Sequence, residues 1–201
     1  MSFKDLKRDY IIDSAKKLFL AKSIGEITIK DISAVSGIGE ATIYRYFTNK
    51  ENLVTAVSLS LQQDILKVQF DDPNSSGLEN IQNFFNLFRN IFVEHREYVK
   101  FIAEFDIVYL NTIENKENKQ YSLSLDAFYD LFIKFYNQGL KDQSVKEVKD
   151  IKLFYYTSTH SLLELCKKLA SSDTGLKQDK AVDRVKEIEY LISLFISVLK
   201  A

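Results

Sequence analysis

The chain has 201 residues, 46% hydrophobic and 27% charged, a balance that supports a sizeable core and excludes a disordered chain. One proline, Pro73, and six glycines leave few helix breakers, so the fold class expected is all-α, with about nine helices. The net charge of −1 looks unlike a nucleic-acid binder until it is resolved along the chain: residues 1–50 hold nine Lys and Arg against six Asp and Glu, a local +3 that leaves −4 for the rest.

In chain order, the first helical pattern runs from about Leu6 to Lys22, with Tyr10, Ile11, Ser14, Leu18 and Phe19 on one stripe, and Gly25 ends it. Thr28 then precedes Ile29, Ile32 and Val35, a short helix with a Thr N-cap and Asp31 placed close to a capping box. Gly37-Ile38-Gly39 is a tight turn, followed by a short helix from Glu40 to Phe47. Asn49 caps a long helix expected from Lys50 to about Phe70. The run from Asp71 to Gly77 reads as a loop, and helices resume over about 78–94 and 97–111. A polar separator at 114–120 precedes a long helix over about 121–140. Two more close the chain near 148–171 and 180–200, parted by Ser172-Asp173-Thr174-Gly175.

Two short helices crossed at a fixed angle need small residues where they touch, Gly at the turn and apolar residues just beyond. Ile32, Ser33, Gly37, Ile38 and Ile43 supply that set in order. With Ile43 and Phe47 turned inward, the opposite face of the helix offers Glu40, Ala41, Thr42, Tyr44, Arg45 and Tyr46. The segment from Thr28 to Leu53, in particular Thr42-Ile43-Tyr44-Arg45-Tyr46-Phe47 and Lys50-Glu51-Asn52-Leu53, resembles the TetR family of repressors over roughly residues 8–55. Ser33 and Ser36 stand where that family usually has Ala, and Gly39 where it usually has a capping Ser, a loss of about a few tenths of a kcal/mol.

The resemblance implies a three-helix DNA-binding domain at 1–50 and a helical ligand-binding and dimerisation domain at 51–201. Carried over by position, it implies that Thr28, Tyr44, Tyr46 and Lys50 hold phosphates. Lys30, Glu40, Ala41, Thr42 and Arg45 are then the candidates for reading base edges, and Arg45 suits guanine because a guanidinium can bond O6 and N7 together. The partners implied are double-stranded DNA with a palindromic operator, a small apolar ligand, and a second copy of the chain.

Beyond the motif, Phe84, Phe85, Phe88 and Phe92, then Phe101, Phe105 and Tyr109, then Phe128, Phe132, Phe135 and Tyr136 recur at helical spacing, chiefly as core. An apolar cavity with a few polar groups is implied here by the resemblance. Its candidate lining is Phe88, Phe92, Phe101, Phe105, Tyr109, Phe128 and Phe132, with Glu104, Tyr155, Thr159 and His160 as polar groups, His160 being read first as a core imidazole. Leu162, Leu165 and Leu169, and then Val182, Val185, Ile188, Ile192, Phe195 and Leu199, form stripes suited to a four-helix bundle across a two-fold axis.

The single cysteine, Cys166, lies in an apolar run and is expected to be a buried, reduced thiol in a cytoplasmic protein. No stretch approaches the roughly 18 apolar residues of a membrane span, and neither a signal peptide nor an anchor is expected. His95 has no second His or Cys nearby, so no metal and no cofactor is expected. An enzyme without a recognisable motif and a helical carrier of apolar molecules are the alternatives. The mechanism expected for a regulator is that ligand moves the helix starting at Lys50 and weakens DNA binding.

Overall fold

The computed structural model describes residues 3–67, 74–108, 116–171 and 181–201, with the backbone alone at 108 and 116–122. These residues form α1 (Phe3–Ala21), a 3-10 turn (Ile24–Glu26), α2 (Ile29–Ser36), α3 (Glu40–Phe47), α4 (Lys50–Leu66), α5 (Gly77–Glu94), α6 (Arg96–Val108), α7 (Lys116–Lys141), α8 (Ile151–Ser171) and α9 (Arg184–Leu199). The described residues contain no strand, and one isolated antiparallel bridge joins Val145 to Lys200. The all-α class and the helix order agree with the sequence.

Two boundaries differ. Residues 116–120, expected as a separator, belong to α7, because Lys, Glu and Gln are good helix formers and polarity without Gly or Pro breaks nothing. α8 starts at Ile151, where Asp150 Oδ1 accepts the Leu153 N–H at 2.9 Å. The ends expected at Phe70 and Asn111, the loop around Pro73, the break at Ser172–Gly175 and the start at Lys180 lie wholly or in part outside the described residues.

Two compact units divide the chain, one of residues Met1–Lys67 and Lys100–Ser124, the other of Val68–Val99 and Leu125–Ala201. By packing, the first unit runs past residue 50 and includes α4 and the second part of α6. In it α1 packs on α2 and α4, α2 on α3, and α3 on α4. Ile11, Ala15 and Phe19 of α1, Ile32 of α2, Ile43 and Phe47 of α3, and Leu53 and Val57 of α4 are buried, as are Phe101 and Phe105 of α6. Lys16 Nζ ties α1 to α4 through Asp64 Oδ2 at 2.9 Å and Ser60 Oγ at 3.2 Å. Tyr10 and Val35, expected on inner stripes, are 52% and 55% exposed; Ile12 and Ala15 take the inner face of α1 in place of Tyr10.

In the second unit α5, α8 and α9 pack together around Phe84, Phe85, Phe132 and Phe135, all buried. Phe84 meets Phe85 and Phe132 edge-on, with centroids 5.6 Å apart in each pair. Ser76 caps α5 through a capping box with Glu79. α5 then starts against the end of α7 so closely that a Cβ on Gly77 would strike the Gly139 backbone and approach the Phe135 carbonyl to 2.6 Å. The Gly77 N–H donates to Asp142 Oδ2 at 2.7 Å. Arg96 Nη2 donates to the Leu169 and Ala170 carbonyls at 3.0 and 3.2 Å, satisfying the C-terminal end of α8.

The stripes expected to meet a second copy face inward in large part: Leu162, Leu169, Ile188, Ile192 and Leu199 are buried in this unit's own core. The exposed apolar positions are instead Leu153 and Tyr156 on α8 and Tyr190, Leu194 and Val198 on α9. Each helix carries two apolar stripes, and the more continuous aliphatic one is consumed by its own fold.

Candidate DNA-binding surface

Thr28 is the N-cap of α2. Its Oγ1 accepts the Asp31 N–H at 3.2 Å and donates to Asp31 Oδ2 at 2.6 Å, while the Thr28 N–H donates to Asp31 Oδ2 at 2.8 Å, completing a capping box. The Thr28 bonds hold the Asp31 carboxyl below its ordinary pKa of 3.8. Gly37 closes α2 at φ 68°, ψ 12°, a left-handed conformation that glycine adopts without a Cβ penalty, and donates its N–H to the Ser33 carbonyl. Gly39 starts α3 with no side-chain cap.

α3 divides by face. Ile43 and Phe47 are buried; Glu40, Ala41 and Arg45 are exposed, Tyr44 is 48% exposed, and Thr42 and Tyr46 are half-buried. Lys30 of α2 is exposed as well. The Arg8 guanidinium of α1 lies over the Phe47 ring, 5.2 Å from its centroid, and holds the inner face of α3 from behind. Sequence reasoning counted Arg8 only as charge, because its ring partner is 39 residues away.

At the end of α3, Thr48 has φ 64° and ψ −47°. Its N–H donates to the Tyr44 carbonyl, and the Asn49 N–H donates to the Phe47 carbonyl, both at 2.7 Å. The second bond closes a three-residue turn on a β-branched residue at positive φ, a strained arrangement. Asn49 Oδ1 then caps α4 through the Asn52 N–H at 2.8 Å.

Lys50 does not share the exposed face. Its ammonium is half-buried and donates to the Ile24 carbonyl at 2.5 Å. Burial lowers its pKa, against the opposing effect of Glu51, Asp31 and Glu104.

A polar, exposed face on the second of two short crossed helices, backed by buried Ile43 and Phe47, is the geometry of a helix-turn-helix. The profile of bacterial regulatory proteins of the tetR family matches residues 11–57, which covers that motif. Over these residues the chain matches the TetR family. A relative of the chain is the helix-turn-helix transcriptional regulator YfiR of Bacillus subtilis (strain 168), uncharacterised, 23% identical over 170 residues and covering 80% of each chain. A transcriptional regulator from Cytophaga hutchinsonii has the same fold, with TM-score 0.72 at 17% identity over 97% of this chain and 99% of that one. The transcriptional regulator FadR of Bacillus subtilis, solved in complex with stearoyl-CoA, gives TM-score 0.59 at 16% identity over 94% and 97%.

The candidate ligand-lining residues fall in both units. Phe101, Glu104 and Phe105 are in the first; Phe88, Phe92, Phe128, Phe132, Tyr155, Thr159 and His160 are in the second; Tyr109 lies outside the described residues. Phe92, Phe132 and Tyr155 are buried, and Phe88 and Phe128 pack against that core half-buried. Tyr155 meets Phe132, Phe84 and Tyr129 with centroids at 5.2, 6.3 and 5.0 Å. Burial first, then Tyr156, Asp126 and Tyr129, raises its phenol pKa. Thr159 Oγ1 donates to the Tyr155 carbonyl at 2.8 Å, a bond internal to its own helix. His160 is no core imidazole: it is exposed and lies beside the Tyr156 ring at 5.7 Å. Glu104 is engaged by the 3-10 turn, its Oε2 accepting the Ser23 Oγ–H at 2.9 Å and the Ile24 N–H at 2.7 Å. No helix among the described residues is long and apolar enough to cross a membrane.

Proposed function

We propose that the chain is a TetR-family transcriptional regulator that reads DNA with the outer face of α3 and works as a repressor released by a small, largely apolar ligand. The observation that carries the reading is the division of α3, with Ile43 and Phe47 buried and Glu40, Ala41, Tyr44 and Arg45 exposed. A helix so divided can lie in a major groove without unpacking its module. Arg45, Thr42, Ala41, Glu40 and Lys30 face base edges; Thr28, Tyr44 and Tyr46 hold phosphates.

The chain acts as a homodimer, pairing through the exposed apolar positions Leu153, Tyr156, Tyr190, Leu194 and Val198 of α8 and α9. Two modules then sit about 34–36 Å apart, one DNA turn, and the operator is palindromic. The apolar ligand is argued from likeness to FadR of Bacillus subtilis, solved in complex with stearoyl-CoA, and an acyl chain is the chemistry to try first.

The test is to sequence the duplexes that the purified chain retains from a random pool and then add stearoyl-CoA to the complex. Palindromic enrichment with half-sites one turn apart supports the reading, and release by stearoyl-CoA supports an acyl ligand. A pool that stays random after repeated rounds removes the DNA-binding reading.

A further inference from the structure

Two charged side chains, one read from sequence as a phosphate contact and the other as a ligand contact, meet on a single peptide unit. Ile24 lies in the 3-10 turn between α1 and α2, its side chain fully inside. Its N–H donates to Glu104 Oε2 at 2.7 Å, and its carbonyl accepts from Lys50 Nζ at 2.5 Å. Ser23 Oγ adds a second donor to the same Glu104 oxygen at 2.9 Å.

Both grips come from elements that are themselves fixed. Glu104 follows Phe101 by three residues and precedes Phe105 on α6; both rings are buried, and Phe101 packs on Phe19 of α1 with centroids 6.3 Å apart. Lys50 is the first residue of α4 and is separated from α3 only by Thr48 and Asn49. The peptide of Ile24 is therefore held on its donor side by α6 and on its acceptor side by the start of α4, the helix that follows α3.

We propose that Glu104 and Lys50 are positioning residues for DNA binding, clamping the Ile24 peptide so that α3 is held at a fixed angle to α1 and α2, with Lys50 acting through this clamp and not on a phosphate. For Lys50 to reach a phosphate it must leave a charge-assisted, half-buried bond, taking the donor from the Ile24 carbonyl and a positive charge from beside Glu104. The groups on the exposed face of α3 face no such loss. The proposal rests on the DNA-binding reading above.

The test measures affinity for the duplex recovered by selection, at several salt concentrations, for the full chain and its variants, with far-UV circular dichroism confirming that each is folded at the assay temperature. Glu104→Leu is expected to lose about tenfold or more in affinity with the slope of log K against log[salt] unchanged, since no phosphate contact is removed. Glu104→Gln, whose amide oxygen can accept both hydrogen bonds, should stay within about threefold of the parent, as expected when acceptor geometry and not the charge matters. Lys50→Met should weaken binding like Glu104→Leu, and the pair together should lose no more than about the larger single loss, the mark of one shared interaction.

If Glu104→Leu fails to fold, Ser23→Ala, which removes one bond to Glu104, should cost about threefold in affinity with the slope unchanged; parent-like affinity in it would overturn the clamp. A slope reduced by about one per module in Lys50→Met makes Lys50 a phosphate contact and overturns the clamp alone. Parent-like affinity in Glu104→Leu does the same. If the unaltered chain retains no duplex, the DNA-binding reading falls and the clamp with it.

Discussion

Tyr44 stands on α3 beside the buried Ile43 with about half of its surface in water, and it is proposed above as a phosphate contact. A phosphate contact carries no sequence information directly. Tyr44→Ala should therefore weaken binding to the selected duplex and to random duplex by a similar factor, with the oligomeric state unchanged in sedimentation. Loss confined to the selected duplex would assign Tyr44 to base reading. Cys166 shows burial acting on chemistry: it is enclosed, with Sγ 4.0 Å from the Phe88 carbonyl, and burial pushes the thiol pKa up to about 12. Only a negligible thiolate fraction exists at neutral pH. Cys166 should be inert to Ellman's reagent in the folded protein and react once in guanidinium; rapid labelling of the folded chain would contradict that. At this scale the sequence was informative where a residue's neighbours are local. Tyr44, Arg45 and Thr28 could be placed because α2 and α3 are short and their turn is punctuated by Gly37. Lys50, Glu104 and His160 could not, because the surroundings that decide them come from distant parts of the chain or from which helix face turns outward.

The junction between α3 and α4 is where one element constrains another. Thr48 at φ 64° is a β-branched residue in a conformation that costs on the order of 1–3 kcal/mol. Glycine has no such penalty there, and its usual entropic cost is about 0.5–1 kcal/mol. Thr48→Gly should therefore raise the melting temperature, by about 2–4 °C for each kcal/mol of net relief; a lowered melting temperature would show that Thr48 carries no strain. Two helix starts respond to acid. Hydrogen bonds from Thr28 hold Asp31 below its ordinary pKa of 3.8, and those from Ser144 and Gly77 do the same for Asp142. A carboxylate whose folded pKa is depressed contributes stability that is complete above the unfolded value and is lost as pH falls through the folded one. The melting temperature should fall progressively from about pH 5 downward, and Asp142→Asn should flatten part of that fall. A melting temperature constant down to pH 2 would exclude both carboxylates from the stability of the fold. Helix existence was legible from the 3.6-residue period and the scarcity of Gly and Pro. The start of α7 was not, since a run of Glu, Lys, Asn and Gln is equally compatible with a loop and with a solvated helix face.

Across the whole molecule the chain combines two units with different cores. The first is a helix-turn-helix unit whose buried residues are mainly aliphatic, with Phe19, Phe47, Phe101 and Phe105 as its rings; the second holds Phe84, Phe85, Phe132 and Phe135. Fully burying one such ring contributes about 1.5–3 kcal/mol, so the aromatic content read from composition is explained largely by packing. That is why ligand-lining rings could not be told from core rings by spacing: both recur at helical period. The same ambiguity misplaced the α8 and α9 stripes, where the aliphatic residues entered the core and Tyr190, Leu194 and Val198 were left outside. The helix-turn-helix was legible because its signal is positional, a turn glycine with buried residues at fixed offsets, and needs no knowledge of distant contacts.

The central claim is that the outer face of α3 reads base edges, and Arg45 is the residue on which that claim turns. The direct measurement compares the parent chain with Arg45→Ala on the selected duplex and on its complete set of single base-pair variants. The parent should discriminate sharply at one base pair in each half-site, and Arg45→Ala should lose about 1–3 kcal/mol there and become indifferent at that position alone. Unchanged discrimination at every base pair in Arg45→Ala would contradict the account.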